Sequence, residues 1–126
     1  MSDRLDQLFS ELRAYVDERD WSRFHDPKNL AMLISSEAGE LLAEYRWVPN
    51  TESDSYTADP AARERVTSEV ADVAIALFNL CIRLDIDLPT AVLMKLAVIR
   101  RNYPADAVRG SAIRPPRPSG RGDGDR

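Results

Sequence analysis

Cysteine is almost absent from this chain: Cys81 stands alone among 126 residues. A single thiol cannot close an intramolecular disulfide, so the fold must be held by its core, and a reducing, cytoplasmic setting fits. Histidine is equally scarce. His25 is the only one, and without cysteine or histidine partners it supports no zinc site. No apolar run reaches the roughly 18 residues that a membrane-spanning helix needs, and the opening Met1-Ser2-Asp3-Arg4 carries no apolar signal region. An excess of positive charge is missing too. Seventeen Lys and Arg face 21 Asp and Glu, for a net charge of −4 and a pI near 5.0. That balance argues against a nucleic-acid partner, and any polyphosphate ligand must be met by local cations. No Ser/His/Asp triad and no glycine-rich phosphate loop is present.

What remains is an ordinary soluble composition, 44% apolar and 30% charged. The length suits one domain with a small core. The apolar period is helical throughout and predicts an all-α fold. Leu5, Leu8, Phe9, Leu12 and Val16 predict a first helix over about 4–19. Asp26-Pro27 and Asp59-Pro60 each read as an N-cap followed by proline at the first helical position. They open a second helix over about 28–47 and a third over about 60–85. Asp87-Leu88-Pro89 opens a fourth, which ends before Tyr103-Pro104. Val48–Ala58 is a polar loop. Residues 1–112 are expected to form one domain. Residues 113–126, rich in Pro, Gly, Arg and Asp, are expected to be a disordered tail, in which an Arg-Gly-Asp string carries no functional weight.

The second and third helices carry the chemistry. Glu37-Ala-Gly-Glu40 and Glu69-Val-Ala-Asp72 each place two carboxylates on one helix face by their i, i+3 spacing. On the second helix, Leu30, Leu33, Ile34, Leu41, Tyr45 and Val48 form the apolar stripe. Glu37 falls near its centre, and Glu40 and Glu44 fall on its edge. Carboxylates buried without compensation cost several kcal/mol or more, so an inward cluster of four asks for divalent cations. From Val70 to Leu84 the third helix is apolar around nearly its whole girth. A small four-helix protomer cannot cover such a helix alone, which predicts an oligomer. Asp72 is stranded in that run; a shared metal resolves its cost, as would an ion pair with Arg46 or Arg83.

Trp21, Phe24 and His25 cluster in the link between the first two helices, and Trp47 ends the second. Aromatic groups near a metal site suit a nucleobase, or they simply fill a core. Lys95, Arg100 and Arg101 on the fourth helix suit phosphate or a solvated surface. Cys81, mid-helix among apolar residues, reads as an inert core thiol.

Beyond the acidic pairs, five segments complete a pattern: ERDWSRFHDPKNL (18–30), EAGELLAEYRW (37–47), SEVADV (68–73), DIDLPTAVLMK (85–95) and RRNYP (100–104). Over about residues 4–112 the chain resembles the MazG-like all-α nucleoside triphosphate pyrophosphohydrolases, in their dCTP pyrophosphatase branch. The resemblance implies a four-helix bundle-type protomer in a homodimer or homotetramer. It also implies Mg²⁺-dependent cleavage, with Mn²⁺ as a substitute, between the α- and β-phosphates of a dNTP such as dCTP or a related pyrimidine. By motif position it assigns Glu37, Glu40, Glu69 and Asp72 to the metal, with Glu37 activating the attacking water. It assigns Trp21, His25 and Trp47 to the nucleotide pocket and Lys95 to phosphate, with Arg100 as a further phosphate candidate. The chain departs from the branch at Ala76, Ile99 and Leu12, where tyrosine, asparagine and histidine are usual. Each replacement loses a polar or aromatic contact, which points to a larger or less selective pocket. The rival readings are a pyrophosphohydrolase for another nucleotide, and a helical oligomerisation or regulatory module without chemistry.

Overall fold

The structure, a computed structural model, describes residues 2–113. Apart from Ile113, the tail expected to be disordered lies outside the described residues. Every regular element within them is helical: α1 Ser2–Glu18, α2 Pro27–Tyr45, α3 Pro60–Leu84, α4 Leu88–Asn102 and a short α5 Ala105–Val108. Single 3₁₀ turns occur at Ser22–Phe24, Asn50–Glu52 and Tyr56–Ala58. By its internal contacts the chain forms two units, Met1–Ile86 and Asp87–Arg126. The first holds α1, α2 and α3; the described part of the second holds α4 and α5.

The helix starts follow from aspartate and proline. The Asp26 carboxylate accepts a hydrogen bond from the Asn29 backbone N–H at 2.9 Å, and Asp59 accepts one from that of Ala62 at 3.1 Å. Each cap satisfies an otherwise orphaned donor and contributes about 1 kcal/mol. Asp87 works differently: its side chain accepts from the Thr90 hydroxyl and caps no backbone N–H. α2 stops at Tyr45, two residues short of the sequence expectation, because Pro49 disfavours helical backbone at Val48. Trp47 therefore sits in the turn after the helix. The loop expected over 48–58 contains two of the 3₁₀ turns.

The helix stops were not foreseen in detail. Both α1 and α3 end on an aspartate in left-handed conformation, Asp20 and Asp85, each with φ near 52°. In both cases the next N–H reaches back five residues, from Trp21 to the Val16 carbonyl and from Ile86 to that of Cys81. This is the Schellman arrangement that glycine usually closes, and aspartate tolerates it better than most residues.

α2 and α3 make the most extensive helix–helix contact among the described residues, and α1 lies against α3. Glu44 on α2 reaches Arg65 on α3, and Glu37, two turns earlier on α2, meets Glu69 and Asp72 further along α3, so the two helices run antiparallel. The buried set is small: Val16, Leu30, Ala62, Ala76, Asn79 and Cys81. Phe9 of α1 meets Phe78 of α3 with ring centroids 5.0 Å apart. Elsewhere on α3, Val70, Ile75 and Leu77 stay exposed in the single chain, as does Leu42 on α2.

Candidate metal and nucleotide site

The α2–α3 register brings the two acidic motifs face to face. One carboxylate oxygen from each of Glu37, Glu69 and Asp72 lies within 4.8 Å of the other two. Glu37 and Glu69 are half-buried, so the position of Glu37 in the apolar stripe of α2 holds in the fold. Glu40 is exposed, and its carboxylate falls outside that close set. Its charge still reaches Glu69, whose carboxyl is held above its ordinary range. Partial burial is the largest cause, followed by the charges of Asp72, Glu40, Glu37 and Glu44.

None of Glu37, Glu40, Glu69 and Asp72 has a basic partner among the described residues. The ion pair weighed for Asp72 does not form. The Arg83 guanidinium donates to the Ser22 carbonyl at 3.1 Å, and that of Arg46 sits 5.3 Å from the centre of the Trp47 ring. Three hard oxygen donors without a cationic partner fit a hard divalent cation such as magnesium.

Glu44, one turn beyond Glu40, is different. It accepts hydrogen bonds from the Tyr56 hydroxyl at 3.2 Å and from Arg65 Nε at 3.3 Å, and Arg65 also donates to the Tyr56 hydroxyl. This network joins the 3₁₀ turn at Tyr56–Ala58 to both helices and fixes their register beside the carboxylates. The sequence reading placed Glu44 on the stripe edge and missed its partners, because the 12- and 21-residue separations are set only by the loop path.

The segment 21–25 is pinned to the far end of α3 by the Arg83–Ser22 bond. Trp21 packs edge-on against Tyr15, with centroids 5.7 Å apart, and Phe24 points outward, 63% exposed. His25 is half-buried and lines a cavity with Leu12, Val16, Ser22, Asn79 and Arg83. Trp47 is 84% exposed and lies about three helical turns along the chain from Glu37. Lys95 and Arg100 are exposed on α4, in the second unit. Cys81 is buried, and burial pushes its thiol pKa up, away from nucleophilic use.

Asn79 is the second residue missed. It is the one uncharged polar side chain between Val70 and Leu84, and it is only 9% exposed. Its place seven residues after Asp72 was visible in the sequence; its burial was not.

No family model matches the chain. Among solved structures, a pyrophosphatase from Archaeoglobus fulgidus superposes with a TM-score of 0.74 at 35% identity. The match covers 80% of this chain and 93% of that one.

This chain belongs to the MazG-like pyrophosphohydrolase family.

Curated relatives agree with that membership. The dCTP pyrophosphatase 1 of Bos taurus is 39% identical over 100 residues, and that of Homo sapiens is 39% identical over 98. These matches take in 79% and 78% of this chain, which spans 59% and 58% of the relatives' lengths. No helix among the described residues is long and apolar enough to cross a membrane.

Proposed function

We propose that the protein hydrolyses deoxynucleoside triphosphates, dCTP or a related pyrimidine nucleotide, to the monophosphate and pyrophosphate. The observation that carries this reading is the convergence of Glu37, Glu69 and Asp72 on facing helices without a basic partner. Family membership, and dCTP pyrophosphatases among the curated relatives, supply the reaction class. The enzyme works in the cytoplasm.

Glu37, Glu69 and Asp72, with Glu40 at the rim, would hold magnesium, or manganese in its place, and the bound ion would supply charge neutralisation on the triphosphate and the leaving pyrophosphate. Glu37, set centrally in the α2 stripe, takes the proton from a water that attacks the α-phosphorus. The bond from the α-phosphorus to the α,β-bridging oxygen breaks, and its electron pair leaves with pyrophosphate. Trp21, His25 and Trp47 hold the base; Lys95 and Arg100, in the second unit, are the phosphate contacts that the resemblance implies.

The working form is a homodimer or homotetramer. Support comes from the apolar groove of Ala38, Leu41, Leu42, Tyr45, Val66 and Val70 beside the exposed side of α3. Sedimentation tests this directly, and a monomer at micromolar concentration refutes it. The activity is tested by pyrophosphate release from a panel of canonical, methylated and oxidised dNTPs with Mg²⁺. Hydrolysis of a non-pyrimidine nucleotide alone moves the substrate assignment. No release from any nucleotide, together with no Mg²⁺-dependent rise in Tm, favours the non-catalytic module.

A further inference from the structure

Asn79 is 9% exposed and its side chain makes no hydrogen bond among the described residues; no buried side-chain nitrogen or oxygen there lacks a partner, so its amide meets solvent at the cavity it lines. Its donor and its acceptor are therefore free to meet a ligand that displaces water from that cavity. Asn79 shares the cavity with Ser22, His25 and Arg83, and with the charged Arg13 and Asp17 of α1. Arg83 is already committed to the Ser22 carbonyl. The cavity thus holds an amide with one donor group and one acceptor, neither of them engaged.

Its position relative to the carboxylates is set by helix geometry. Seven residues separate Asp72 from Asn79, close to two full turns, so the two side chains leave α3 about 20° apart and about 10 Å along the axis. A deoxyribose and base extending from phosphates held at Asp72 cover that distance. A pyrimidine presents next to its C4 substituent the complementary pattern of one donor and one acceptor. The 4-amino form donates from N4 and accepts at N3, and the 4-oxo form does the reverse. An amide meets either pattern by a half-turn about its terminal bond, and nothing in the structure pins the Asn79 amide in one orientation.

We infer that Asn79 is the base-reading residue of the site, and that its unpinned amide accepts 4-amino and 4-oxo pyrimidines alike. This rests on the nucleotide reading of the site and sharpens it: within the pyrimidine deoxynucleotides, the site discriminates weakly between cytosine and thymine or uracil.

The test compares wild type and Asn79→Ala on dCTP, dTTP and deoxyribose 5′-triphosphate lacking a base, with folding followed by circular dichroism. Wild type should show kcat/KM values for dCTP and dTTP within about tenfold of each other, the discrimination expected without a fixed donor or acceptor. Asn79→Ala should lose about tenfold or more on both nucleotides, mainly in KM, and nothing on the baseless substrate. An equal loss on all three substrates assigns Asn79 a structural role and overturns the inference. So does a wild-type preference of a hundredfold or more for one base. Titration of dCMP and dTMP followed by NMR gives a readout that does not need turnover. Comparable shifts for both in wild type, weakened together in Asn79→Ala, support the inference even where no triphosphate is hydrolysed. If the monophosphates bind wild type and Asn79→Ala equally, the inference fails while the hydrolase reading stands on the baseless substrate.

Discussion

Replacing Glu37 by glutamine should stabilise the metal-free protein while abolishing its chemistry. Glu37 shares a cluster with Glu69 and Asp72 in which one oxygen of each lies within 4.8 Å of the others. For the Glu37–Asp72 pair alone, two unit charges at that separation repel by about 0.9 kcal/mol in bulk water and about 3.5 kcal/mol at an effective dielectric of 20. The cluster is only partly buried, so the lower end applies, and the variant should gain about 1 kcal/mol in EDTA. For a domain of this size that corresponds to about 4 °C in Tm. With magnesium the order should reverse. A bound ion stabilises by RT ln(1 + [L]/Kd), about 2.7 kcal/mol at a hundredfold excess over Kd, and the variant has lost a ligand. Urea denaturation in EDTA and in millimolar Mg²⁺, alongside pyrophosphate release, measures all three effects. A variant less stable than wild type in EDTA refutes the electrostatic reasoning, and one that hydrolyses dCTP at the parental rate refutes Glu37 as the base.

Three further outcomes follow from the same geometry. Glu69 has a raised carboxyl pKa, so its contribution to stability is present below the ordinary carboxylate value and is lost as pH rises through the folded value. In EDTA, Glu69→Gln should therefore match wild type in acid and become the more stable protein as pH rises; parallel stability curves would rule this out. Leu30, 2% exposed and two turns before Glu37, should cost about 2–5 kcal/mol on truncation to alanine, read as a lower urea midpoint, and a cost under about 1 kcal/mol would mean the α2–α3 seam does not depend on it. Tyr56→Phe removes the hydroxyl that donates to Glu44; it should cost about 1 kcal/mol with the far-ultraviolet helix signal unchanged, and a neutral result would show that the loop contributes nothing to the register.

The amino-acid order determined most of the helices and the polarity of the site. Aspartate followed by proline marks the starts of α2 and α3, because a carboxylate cap and a pre-set φ act locally. The i, i+3 spacing put each acidic pair on one face, and the interrupted stripe on α2 marked Glu37 as inward. Local rules stop at the helix ends. The left-handed aspartates Asp20 and Asp85 close Schellman turns where glycine would be the expected signal, and Trp47 falls outside α2 because of a proline two residues on.

Tertiary structure decided what the two motifs do together. Only the antiparallel register, fixed by Glu44, Tyr56 and Arg65, sets Glu37 opposite Asp72 and leaves Glu40 at the rim. Packing of α1 against α3 likewise sets Asn79, an asparagine in an apolar run, at the wall of a cavity. Periodicity assigns a residue to a face of its own helix; which residue of another helix meets that face depends on loop length and packing, and those are properties of the folded chain.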